Sequence, residues 1–201
     1  MLNQQRTELE KLGYAIISQT GNEIIGVRRK WFWDCFATNL TMVIFVQTIE
    51  SLTAARIDED ATRMIAQARD VDRSSLPLGF QRGRAIISVY LAGKVESDAQ
   101  RLCSSPQKLR YATMFFPAAM DQSTGSVHYL RTTPFFGGFY FGKLRYPVQH
   151  LLESAKAPNK EPVSIVGIVY EFTIVLSFLC VFCGCLGSIS IIILLLAQNW
   201  H

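Results

Sequence analysis

The sequence predicts an α+β domain, helices packed on a mixed or antiparallel sheet with two to four helices, followed by a C-terminal transmembrane helix. Three observations carry this. Two hairpin signals bracket the first 160 residues, strand-length apolar runs alternate with helically patterned segments, and the last 40 residues are almost free of charge.

Residues 4–11 carry a short helix. In YAIISQTGNEIIGVRRK, two β-prone runs flank Thr20-Gly21-Asn22, which predicts a hairpin with strands near 13–19 and 23–30. Trp31, Phe32 and Trp33 then lead past Asp34 into LTMVIFVQTI, too short for a bilayer and predicted as a buried strand at 40–48. Asp58 is positioned to cap a helix over about 59–72, with Glu59 and Asp60 in its first turn and Ala61, Met64, Ile65, Ala68 and Val71 on its core face. SSLPLGFQRGR is a loop, and AIISVYLAG is a buried strand. Ser97 caps a helix through Ser104, ended by Pro106. Residues 111–120 and 126–132 form a second hairpin, in which Pro117, lacking a donor, belongs at an edge or bulge. FFGGFYFGKLRY reads as an aromatic turn and strand, and a closing helix starts at Pro147. The order is β-β-β-α-β-α-β-β. The resulting domain covers 1–156, and APNKEP, 157–162, is the expected linker.

Residues 163–201 are the expected membrane anchor. From Phe172 to Ala197 no side chain is charged, and as a helix these residues extend about 39 Å, more than the roughly 30 Å hydrocarbon core. A single span over about 172–197, which includes Phe172, Leu176, Leu179, Ile192 and Leu195, competes with a tight helical hairpin bending near Gly184. The hairpin is disfavoured because its turn has few groups to satisfy the backbone. Gly184, Gly187 and Ser188 offer a small-residue surface for another span or a second copy. Cys180, Cys183 and Cys185 lie too deep in this stretch for metal delivery and read as packing residues.

The net charge of +4 is unevenly distributed. Residues 1–100 carry 12 basic and 12 acidic side chains, whereas 101–160 carry 8 basic ones against Asp121 and Glu153. Lys156 and Lys160, just before the anchor, are placed to contact lipid headgroups and keep the domain on the cytoplasmic side. The N-terminus has no uninterrupted apolar stretch, so no cleaved secretory signal is expected. The basic residues are scattered singly, which disfavours nucleic acid as a partner.

Catalytic patterns are weak. Gly137, Gly142 and Lys143 approach a phosphate-loop spacing, but Leu144 stands where magnesium binding requires Ser or Thr. A nuclease needs a Glu-x-Lys unit beyond Asp121, where the chain has Val127-His128-Tyr129. His128 or His150 with Cys103, Ser104 or Ser105 leaves a nucleophile–base pair open, and Arg82, Arg84 and Lys94 leave an anion site open beside the simpler solvated edge. No cofactor or metal is expected. The expected function is a membrane-anchored cytoplasmic interaction or accessory domain whose partners are lipids and other transmembrane helices. The alternative is a tethered enzyme or effector with a site near Asp121, His128 and the Gly137–Lys143 turn.

Overall fold

A computed structural model describes residues 2–33, 38–72, 76–79, 81–108, 110–133 and 138–156. The chain opens with α1 (Leu2–Lys11), whose end is set by Gly13 at φ +79. Its two closing bonds, Tyr14 N–H to Leu9 O at 2.9 Å and Gly13 N–H to Glu10 O at 3.0 Å, form a Schellman cap that only a left-handed residue permits. Strands β1 (Ala15–Gln19) and β2 (Glu23–Phe32) are the expected hairpin, and β3 (Thr38–Leu52) pairs antiparallel with β2.

Helix α2 (Ala54–Val71) starts five residues earlier than the acidic triplet suggests. Thr53 is its cap, accepting from Arg56 N–H, and Asp98 accepts from Ala54 N–H at 3.2 Å. Asp58 is therefore inside the helix, and Asp60 is buried on its core side. Strand β4 (Arg82–Val95) returns parallel to β3, α3 (Ser97–Ser104) follows, and β5 (Thr113–Asp121) is parallel to β4. Glu96, not Ser97, occupies the cap position of α3. Strand β6 (Val127–Tyr129) closes the second hairpin. Pro117 is in β5, which is not an outermost strand, yet β6 reaches only Ala118 to Met120, so the proline sits just beyond the paired stretch. Its missing donor is tolerated there.

The largest difference from the expected layout is α4 (Gly138–Lys156), one helix with Pro147 inside it. The aromatic segment is not a turn and strand. Phe141, Leu144, Val148, Leu151 and Leu152 are all buried against the sheet, and this helical stripe runs through the proline without a break. Packing thus outweighs the lost hydrogen bond at residue 147.

Among the described residues the fold is α+β: a mixed six-stranded sheet in the order β1-β2-β3-β4-β5-β6 with four helices. Met42, Ile44 and Val46 of β3 face α1 and α4, while Val43 and Phe45 face α2 and α3. Strand β4 alternates in the same way, Ile87, Val89 and Leu91 against Ile86 and Tyr90. Burial on both faces explains why the central strands are continuous apolar runs. Both crossovers, through α2 and α3, step the same way across the sheet and place their helices on one face. Among the described residues the strand order therefore does not reverse, and the crevice at which α/β sheets usually hold ligands is not generated there.

Candidate binding surface at the β2 edge

The fold brings His128 and Ser104, one of the candidate base–nucleophile pairs, to a common cleft, and keeps Lys143 and His150 away from it. Asp121 is buried, and both its oxygens are engaged: Oδ1 accepts from Ser123 N–H at 2.9 Å, Ser123 Oγ at 2.6 Å and Thr124 N–H at 3.1 Å, while Oδ2 accepts from Val95 N–H at 2.9 Å. These bonds, the Ser123 hydroxyl first, hold its carboxyl well below the usual carboxylate range. It caps the β5–β6 turn as a permanent acceptor. His128 pairs with Ala119 and so faces α3, whereas its neighbours Val127 and Tyr129 pack on the α4 side. It shares a cleft of ≈ 290 Å³ with Ser104, Arg131 and Thr132, and burial lowers its pKa despite the Asp121 charge.

Lys143 lies on the opposite face. Its Nζ is 4.6 Å from the centre of the Phe32 ring. Asp121, His128 and Lys143 therefore do not converge, and Gly137 lies outside the described residues. Arg82 and Arg84 are not an open anion site: both pair with Asp72, at 2.7 Å and 2.6 Å, and Lys94 at the far end of β4 pairs with Glu96. Likewise, His150 is tied to Glu8 at 3.0 Å. Among the described residues, no three His, Cys, Asp or Glu side chains are grouped to hold a metal ion.

Cys103 is fully buried between α3 and the sheet, and desolvation pushes its thiol up to about 12. A thiol with so high a pKa carries almost no thiolate at neutral pH and is a poor nucleophile. Folded protein treated with iodoacetamide at pH 8 is expected to leave Cys103 unmodified by peptide mass spectrometry, and urea is expected to expose it; rapid native labelling would contradict this placement.

Of the residues expected at the membrane, Lys156 is the exposed last residue of α4. Lys160, Phe172, Leu176, Leu179, Gly184, Gly187, Ser188, Ile192 and Leu195 lie outside the described residues. Among the described residues no helix is long and apolar enough to cross a membrane.

One surface stands out that no sequence motif marks. β1 pairs with β2 only as far as Val27, so Arg28 to Phe32 form the sheet's outer edge on that side. This edge reads Arg-Arg-Lys-Trp-Phe, followed by Trp33. Five large apolar side chains are exposed among the described residues, and four gather here: Ile17, Trp31, Trp33 and Tyr146. The Trp31 and Trp33 rings stack with centroids 6.0 Å apart, and Trp33 is 78% exposed. Lys30 and Lys143 both approach the Phe32 ring, at 5.6 Å and 4.6 Å. A shallow hollow flanks the edge on each face, ≈ 370 Å³ beside Lys143 and Tyr146 and ≈ 610 Å³ beside Ile17 and Val71. Among the described residues, no acidic side chain lines either one. The signal was present as three cations followed by aromatics, but only the strand ending of β1 turns that run into a surface. Comparison with protein-family models and with curated proteins finds no match for the chain.

Proposed function

We propose that the chain is a binding or accessory domain held at a membrane by residues 163–201, with the folded part on the cytoplasmic side. The observation that supports binding is the gathering of exposed aromatic and cationic side chains at the β2 edge. Folded domains rarely leave such side chains in water without a partner for them. The tether rests on the uncharged run from Phe172 to Ala197. Gly184, Gly187 and Ser188 would let that span pack against another helix, from a second copy or from a different protein. Lys156 and Lys160 would then sit at the headgroups.

The test is fractionation of the full chain beside a version ending at residue 162. The full chain is expected to pellet with membranes and resist carbonate, and the shortened chain is expected to stay in the supernatant. A full chain released by carbonate would overturn the tether.

A further inference from the structure

We propose that the β2 edge from Arg28 to Trp33, with Lys143 and Tyr146 of α4, is a docking surface for the face of an anionic lipid bilayer. The inference rests on the tethered reading above and deepens it by naming what the domain's exposed surface meets. Charge complementarity is the first argument. Arg28, Arg29 and Lys30 are consecutive, and among the described residues none of them pairs with a carboxylate and no acid lines the flanking hollows. Each cation close to an anionic surface gains from its negative potential, an attraction that decays within a Debye length.

The second argument is the aromatic content. Cations alone would be explained as protection of a strand edge against unwanted pairing. That account does not cover Trp33 at 78% exposure, stacked on Trp31, or Tyr146 at 61% on the neighbouring helix. Rings of this kind are favoured at the headgroup level, where one end is apolar and the other is wet. Shape is the third argument. The exposed groups spread over both faces of the edge, with open hollows on either side, so they fit a broad surface better than a single extended peptide.

The experiment uses the full chain with Trp200→Phe, which leaves Trp31 and Trp33 as the only tryptophans. It is reconstituted in phosphatidylcholine vesicles with or without phosphatidylserine, in each case with or without brominated acyl chains. Flotation reads the tail, and tryptophan quenching reads the edge. The expected result is blue-shifted, bromine-quenched emission in the anionic vesicles alone, reversed by high salt. Arg28→Gln with Lys30→Glu is expected to lower the docked-to-free ratio on the order of 100-fold. Trp33→Ser, at a site where folding should not suffer, is expected to remove most of the quenching.

Emission that is the same in neutral and anionic vesicles, or quenching that survives both variants, would overturn the docking surface even if the chain floats. Failure to float with neutral vesicles would instead remove the tether. Salt-sensitive binding and quenching on anionic vesicles would still support the edge in that case. An acidic peptide that shifts the tryptophan emission while anionic lipid does not would also overturn the proposal, because it would assign the edge to a protein partner.

Discussion

Asp72→Ala is expected to lower the stability of the folded domain by about 3–5 kcal/mol, because it leaves two arginines facing each other without a counter-charge. Asp72 is the residue that ends α2, and its side chain is fully buried. Its Oδ2 accepts from Arg82 Nε at 3.0 Å and from Arg84 Nε at 2.6 Å, and its Oδ1 accepts from Thr41 Oγ1 at 3.0 Å. Arg82 also donates to the Asp72 carbonyl at 3.0 Å and to Leu76 O at 2.7 Å, so one guanidinium ties the helix end to Leu76. Asp72→Asn keeps the shape and one acceptor, so it should cost less, about 1.5–3 kcal/mol. Urea unfolding of the intact chain in detergent measures both. Equal and small losses would mean that the pair is solvated and the burial is misplaced.

The same site fixes a pH dependence. Burial alone would raise the Asp72 pKa, but the hydrogen bonds from Arg82, Arg84 and Thr41 outweigh it, and the net direction is down. A carboxylate with a depressed folded pKa binds fewer protons folded than unfolded. Its contribution is complete above the unfolded value of about 4 and is lost as pH falls through the lower folded value. The wild-type chain should therefore lose stability below about pH 4 more steeply than Asp72→Asn.

Local chemistry made most of the architecture legible. The Thr20-Gly21-Asn22 turn placed the first hairpin, and the unbroken apolar runs of β3 and β4 announced a sheet covered on both faces. Where the fold departs from its sequence pattern, a strong local signal has a different tertiary use. Asp58, Glu59 and Asp60 resemble a helix start, yet Asp60 is enclosed by Arg56, Arg63 and the Tyr90 hydroxyl, and Thr53 does the capping. Arg82 and Arg84 resemble an anion site, but the anion is Asp72, ten residues away in sequence from the nearer of them. The β2 edge was legible only as composition. Whether a cationic, aromatic strand is exposed depends on where its neighbour stops, and that is set by the Gly13 turn and the short β1.

Leu144→Ala is expected to cost about 2–5 kcal/mol, whereas Tyr146→Ala should change stability by no more than about 0.5 kcal/mol. The contrast tests the element that differs most from its sequence signal. Gly137, Gly138, Gly142 and Pro147 read as breakers, and a turn and strand there would have a period of two, putting residues 144 and 146 on one face. In α4 they are two positions apart on a helix: Leu144 is fully buried with Phe141, Val148 and Leu151, and Tyr146 is exposed. The price of this arrangement is concentrated at Pro147, which denies the Lys143 carbonyl its usual helical donor. Five buried apolar side chains along one stripe offset that loss, and truncating Leu144 removes one of the most enclosed of them. Comparable losses for the two variants, read from urea midpoints of the intact chain in detergent, would mean that residues 138–146 are extended. Tyr146 would then lie on the same side of the segment as Leu144, and it would no longer belong to the surface built around the β2 edge.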